Sequence, residues 1–219
     1  MGKSFIFGLG SGRCGSLSLA TLLDAQYVTS ISFERYYKLP WVANYDALTH
    51  TFRLIRRHIG SFIGDVGFYY LSYVEKIIDV TKGNVKFVCI KRNKQDTVNS
   101  QLRASSSLGA MHVVDEHSKY FNPDINLNSI ENITFRPAFP KYDLPLEDAW
   151  AQYHDDYYKK ADSFEERYPG IFKVFDMDTA LNTNEGQLEM LKWTKLQSQF
   201  VLPNIKIFKE FTGDPNQFK

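Results

Sequence analysis

An apolar run, Phe5-Ile6-Phe7, leads into Gly8-Leu9-Gly10-Ser11-Gly12-Arg13-Cys14-Gly15-Ser16, after which Leu17, Leu19, Leu22 and Leu23 recur at helical spacing. The order strand, glycine-rich turn, helix restricts the chain to folds in which a buried strand feeds a covering helix. It also builds an anion site. Backbone N–H groups at such a turn point inward, and the helix dipole adds partial positive charge at the same place. Arg13 brings a full charge with forked donors, Ser16 and Ser18 bring hydroxyls, and Gly15 keeps a side chain out of the approach.

A second segment repeats the theme later in the chain. Val85-Lys86-Phe87-Val88-Cys89-Ile90 reads as a buried strand, ends at Lys91-Arg92-Asn93, and runs through Asp96 and Asn99 to Ser100, eight positions after Arg92. A cation at a strand end and a hydroxyl one to two turns into the next helix can converge on one anion. Together the segments suggest a nucleotide phosphorylated at two separate places.

Three kinds of protein carry a loop of the first type. A Walker A motif is matched by Gly10 and Gly15, but Ser16 stands where its lysine belongs. A dinucleotide fingerprint is matched by Gly10, Gly12 and Gly15, with Glu34 placed as a ribose-binding acid, and this NAD(P)-binding oxidoreductase reading stays open. In the third kind, Gly12-Arg13-Cys14-Gly15-Ser16 resembles the 5′-phosphosulfate loop of the sulfotransferases, and Arg92, Asn93 and Ser100 resemble the 3′-phosphate site of the same family. Two departures stand out: Cys14 fills the family's small position, and Leu17 its second hydroxyl position.

The resemblance implies a nucleotide-kinase-like parallel sheet and the co-substrate 3′-phosphoadenosine 5′-phosphosulfate, with no metal. Arg13, Cys14, Gly15, Ser16, Leu17 and Ser18 would face the 5′-phosphosulfate, and Arg92 with Ser100 the 3′-phosphate. A base must take the acceptor's proton. Glu34, in Ser32-Phe33-Glu34-Arg35-Tyr36-Tyr37, resembles the glutamate base of the glycan and tyrosylprotein sulfotransferases. Asp65 is the rival, ending a strand where the sulfotransferases of small phenols and steroids place a histidine. Glu34 is the preferred base. A non-catalytic nucleotide-binding module is a further alternative.

Length and composition bound the rest. A chain of 219 residues with 43% hydrophobic content suits one domain over residues 1–219. A net charge of +1 gives no broad nucleic-acid-binding surface. Arg53, Arg56 and Arg57 read as the solvated face of a helix whose apolar positions are Leu48, Phe52, Ile55 and Ile59. The two cysteines, Cys14 and Cys89, suggest no disulfide framework, and Cys14 reads as a small filler. No apolar run is long enough to span a membrane and no signal-peptide layout is visible, so the expected setting is cytoplasmic, with the Asn132 sequon unglycosylated.

Strands are expected at Phe5–Gly8, Tyr27–Ser32, Ser61–Val66, Val85–Ile90 and Phe172–Phe175. Helices are expected at Ser16–Ala25, Tyr45–His58, Tyr69–Val80, Thr97–Ala104, Leu146–Tyr168 and Glu185–Leu196. The alternation gives a three-layer α/β domain with ligands at the carboxyl ends of the strands. Residues 105–145, crowded with Ser, Asn and Pro, form an irregular insertion, read equally as a flap over the acceptor site carrying His112, His117, Tyr120 and Phe121 or as a mobile surface loop. His154-Asp155-Asp156 reads as a solvated helix face, Asp176-Met177-Asp178 as a strand-to-helix turn, and Trp150, Tyr153, Tyr157 and Tyr158 as packing. The acceptor is a hydroxyl compound, a small molecule or glycan, whose identity the residues leave open, as they do the oligomeric state.

Overall fold

The computed structural model describes residues 2–35, 39, 41, 43–108, 139–140 and 142–196. Five strands, β1 (Ser4–Leu9), β2 (Thr29–Phe33), β3 (Phe62–Val66), β4 (Val85–Lys91) and β5 (Phe172–Asp176), form one sheet in the order β2-β3-β1-β4-β5. Every pairing is parallel, with Phe7 opposite both Asp65 and Phe87. β1 is therefore central, and β3 and β4 flank the loop that leaves it.

The helices are α1 (Ser16–Asp24), α2 (Tyr45–Ile55), α3 (Val74–Val80), α4 (Lys94–Leu108), α5 (Leu146–Arg167), α6 (Met177–Asn182) and α7 (Asn184–Trp193). Because side chains alternate across a strand, β1 and β4 divide the core in two. Phe5, Phe7, Leu9, Phe87 and Cys89 join Phe52, Tyr70, Tyr157 and Phe164 on one side. Ile6, Val88 and Ile90 join Leu19, Leu22, Leu23, Leu181 and Met190 on the other. Gly8 makes the second layer possible, since a Cβ there would lie 2.6 Å from Val66 Cγ2 and 2.8 Å from Leu19 Cδ2.

Several boundaries differ from the sequence reading. β2 starts at Thr29 because Val28 turns at φ 57 and its carbonyl accepts the Ser61 and Phe62 N–H groups. α2 stops at Ile55, and Ile59 is 91% exposed instead of completing the apolar stripe. The helix expected at Tyr69–Val80 opens with a 3-10 segment, Phe68–Tyr73, in which Phe68, Tyr69, Tyr70, Leu71 and Tyr73 are all buried, so a one-sided 3.6-residue pattern has nothing to follow. α4 begins early, where Asn93 Oδ1 caps the Asp96 N–H at 3.2 Å, and continues to Leu108. α6 was missed by the sequence reading, although Asp176 caps its Thr179 N–H at 2.9 Å. Of the stretch expected to be irregular, 105–108 prolong α4 and Phe139 is buried. Residues 109–138, with His112, His117, Tyr120 and Phe121, lie outside the described residues.

Candidate functional site

The glycine-rich loop is pinned from behind by two tyrosines of α5. Gly10 N–H donates to the Tyr157 hydroxyl at 3.0 Å, and that hydroxyl donates to the Phe68 carbonyl at 3.0 Å. Ser11 offers its N–H and its hydroxyl to the Tyr158 oxygen, both at 3.3 Å, while Tyr158 donates to the Ile90 carbonyl at 2.7 Å. The first half of the loop thus spends its donors on the protein. Cys14 is buried here, and desolvation pushes its thiol up to about 11 against the hydrogen bond from the Gly12 backbone, so it stays a neutral packing group.

The second half of the loop is open. Gly15 caps α1 at φ 88, a left-handed conformation that favours glycine, and supplies no side-chain cap. The first intrahelical bond runs from Leu19 N–H to Gly15 O at 2.9 Å. Ser16, Leu17 and Ser18 therefore present first-turn N–H groups with no intrahelical acceptor. Ser16 and Leu17 are half-buried and Ser18 is buried.

The two segments singled out in the sequence meet directly. Arg13 Nε donates to Ser100 Oγ at 3.1 Å, and Arg92 Nη1 donates to the Arg13 carbonyl at 3.1 Å. Arg92 Nη2 lies 3.9 Å from Asp96 Oδ2, and its Nε is buried with no partner. Burial lowers the Arg13 pKa, and the positive charges of Arg103 and then Arg92 lower it further. Convergent guanidinium groups with an unspent donor form a place that a polyanion would stabilise.

The two carboxylates occupy different environments. Asp65 is fully buried, with Ser32 Oγ donating at 2.6 Å, Tyr70 at 2.8 Å and Tyr69 at 3.2 Å. Burial raises its pKa against those hydroxyls and the Arg35 backbone N–H. Glu34 is half-buried just past β2, at φ 41, with its N–H on the Val66 carbonyl at 3.0 Å. Tyr69 and Tyr153, held well above the usual phenol range chiefly by burial, also sense the Glu34 charge. Both acids lie at the carboxyl end of the sheet.

No family model matches this chain, and no curated protein matches it. Among solved structures, a sulfotransferase from Alicyclobacillus acidocaldarius aligns with a TM-score of 0.56 at 14% identity, over 92% of this chain and 84% of that one. The fold is sulfotransferase-like. Among the described residues no helix is long and apolar enough to cross a membrane.

Within this sulfotransferase-like frame, three features escaped the sequence reading. Tyr157 and Tyr158 hold the loop by hydroxyl bonds in addition to packing. His154 is buried instead of solvated: its Nε2 lies 3.1 Å from the Arg92 carbonyl, to which it must donate, and its ring packs on Tyr158 at 4.6 Å. The spacing Trp150, Tyr153, His154, Tyr157, Tyr158, Ala161, Phe164 already placed His154 on the buried stripe. Finally, Gln101 Nε2 donates to the Ser11 carbonyl at 3.4 Å. Asp176 and Asp178 serve helix α6, accepting from Thr179 and Asn182.

Proposed function

We propose that this chain transfers a sulfuryl group from 3′-phosphoadenosine 5′-phosphosulfate to a hydroxyl acceptor. The observation that carries the reading is the joining of Arg13, Arg92 and Ser100 beside the uncapped N-terminus of α1. Gly15 and the N–H groups of Ser16, Leu17 and Ser18 hold the 5′-phosphosulfate, with Cys14 packing the loop beneath. Arg92 and Ser100 hold the 3′-phosphate. Arg13 lies between and neutralises charge that builds on the leaving phosphate.

In the transfer, the acceptor oxygen bonds to sulfur as the sulfur–oxygen bond to the 5′-phosphate breaks, and the acceptor proton passes to a carboxylate. Glu34 suits that role because it is half-buried at the carboxyl end of the sheet, whereas Asp65 is fully buried and accepts from Ser32, Tyr69 and Tyr70. Asp65 instead positions the turn that carries Glu34. The acceptor is a small molecule or glycan bearing a hydroxyl group, and the co-substrate needs no metal.

The sheet order weakens the oxidoreductase alternative. A dinucleotide fold places the strand carrying the ribose-binding acid next to the first strand. Here β3 separates β2, and hence Glu34, from β1. Calorimetric titration with 3′-phosphoadenosine 5′-phosphate, beside NAD and ATP, tests the reading. Micromolar binding of the bisphosphate that weakens by about 10- to 150-fold in Arg92→Ala is expected, the loss of one charge-assisted bond. Binding of NAD without the bisphosphate would sink the proposal, and bisphosphate binding without turnover on any acceptor would leave a nucleotide-binding module.

A further inference from the structure

Arg92 sits between two regular elements. The β4–β5 ladder ends with Lys91 opposite Asp176, and the Asn93 carbonyl already belongs to α4, accepting the Thr97 N–H at 3.0 Å. The Arg92 carbonyl falls between the two ladders, and a side chain meets it: His154 Nε2 lies 3.1 Å away and donates to it. At its other end, Arg92 Nη1 donates to the Arg13 carbonyl at 3.1 Å. The residue is held by its backbone and by its guanidinium group at once.

Packing alone does not account for a histidine at position 154. A neutral imidazole has one N–H, and here it goes to the Arg92 carbonyl. Nδ1 is left buried with no hydrogen-bond partner, 3.7 Å from an Asp155 oxygen. That carboxylate accepts from Lys94 Nζ at 2.9 and 3.1 Å. Burying an unsatisfied ring nitrogen costs free energy that a leucine in the same buried stripe would avoid. What the histidine adds is the bond to Arg92. His154 and Tyr158 are four positions apart on α5, and their ring centroids lie 4.6 Å apart. Tyr158 in turn accepts from the Ser11 N–H and hydroxyl at 3.3 Å. A closed circuit results, running from Ser11 through Tyr158 and His154 to Arg92, and from Arg92 back to Arg13 in the same loop as Ser11. One turn of α5 thereby ties the glycine loop to the end of β4.

We propose that His154 is a positioning residue for the second phosphate site: by holding the Arg92 carbonyl to α5, it sets where the Arg92 guanidinium group meets the 3′-phosphate. The inference rests on the sulfuryl-transfer reading for the identity of the nucleotide. His154 touches no substrate atom in this role and acts through Arg92. Its loss therefore weakens the grip on the 3′-phosphate and leaves the 5′ group, held at the first turn of α1, as it was.

The test titrates the full-length chain, His154→Leu and His154→Gln with 3′-phosphoadenosine 5′-phosphate and with adenosine 5′-phosphate, in the wild-type and Arg92→Ala backgrounds. His154→Leu, which cannot donate, is expected to weaken the bisphosphate by about threefold to tenfold, the scale of one hydrogen bond, and to change the monophosphate by less than about twofold. His154→Gln, whose amide can donate to the same carbonyl, recovers most of the loss. In the Arg92→Ala background the guanidinium group is gone, so His154→Leu should no longer alter the ratio of the two affinities. Where His154→Leu does not fold, His154→Asn takes its place, since its shorter amide stops short of the carbonyl. A merely structural histidine would lower both affinities together. Equal losses for the two nucleotides, unchanged bisphosphate affinity, no recovery in His154→Gln, or a selective loss that persists in Arg92→Ala would each overturn this assignment alone. Failure of the wild-type chain to bind the bisphosphate overturns it together with the function on which it rests.

Discussion

Glu34 sits in the left-handed region at φ 41, a conformation that costs a glutamate roughly 1 kcal/mol and persists only when its surroundings hold it. Asp65 is what holds it, through Ser32 Oγ on one side and the Arg35 backbone N–H on the other. The two acids therefore answer mutation differently. With Glu34 as the proposed base, Glu34→Gln should lower kcat by about 10²–10⁴-fold, the usual worth of a general base, while nucleotide affinity stays near wild type. Asp65→Asn should instead act on stability, and in a pH-dependent way. Its native pKa is raised by burial, so the unfolded chain gives up this proton first as pH climbs from about 3.9. Wild-type stability then falls through the native value, and Asp65→Asn removes that part of the fall. Urea unfolding of both proteins across this range checks the sign; a difference that grows in favour of wild type with rising pH would rule the account out. Residue type and spacing singled out Arg92, Ser100 and the two acids, and the fold brings Arg13, Arg92 and Ser100 into direct contact. The different surroundings of Glu34 and Asp65 were not legible there, because they depend on Ser32, Tyr69 and Tyr70 closing around one carboxylate.

Helix α5 shows what local pattern conveys and what it omits. Its stripe of aromatic residues marked a buried face correctly, but the Tyr157 and Tyr158 hydroxyls bond to Gly10 and Ser11 across 147 positions of sequence, beyond any periodicity. Removing either hydroxyl takes a hydrogen-bond partner from buried backbone groups, Gly10 N–H for Tyr157, Ser11 N–H and Ile90 O for Tyr158. Tyr157→Phe and Tyr158→Phe should each cost about 1–3 kcal/mol. Tyr153→Phe is the matched control, since the Tyr153 hydroxyl is buried with no partner, and it should be neutral or slightly stabilising. Denaturant titration of the three separates a hydrogen-bond role from ring packing, which all three variants keep. His154 on the same face titrates in the opposite sense to Asp65. Burial lowers its pKa, so its contribution is complete above about 6.5 and declines as pH falls toward the depressed native value. His154→Gln, which can still donate to the Arg92 carbonyl, should flatten the acid side of the stability profile, and an unchanged slope would show that other groups set it.

At the scale of the molecule, the order β2-β3-β1-β4-β5 sets which strand ends border the glycine loop. The alternation of strands and helices in the sequence pointed to a parallel three-layer sheet, yet alternation alone does not say which strand neighbours β1. That choice is made by packing: Ile63 and Phe7 meet in one core, and Ile6 and Val66 in the other, so β3 enters between β1 and β2. The consequence reaches the site, because the loop after β1 is left between the ends of β3 and β4, with Asp65 on one side and Arg92 on the other. A bisphosphate engaging both the α1 terminus and Arg92 would tie the central strand's loop to α4 and stabilise the folded state as a whole. At a ligand concentration about one hundred times Kd the linkage is about 2.7 kcal/mol, which for a domain of this size raises the melting temperature by about 5–10 °C. Scanning calorimetry with 3′-phosphoadenosine 5′-phosphate should show that rise, and NAD at equal concentration should show none. A rise with NAD alone would mean that Glu34 reaches a ribose across β3, and the functional assignment built on Arg13, Arg92 and Ser100 would fall with it.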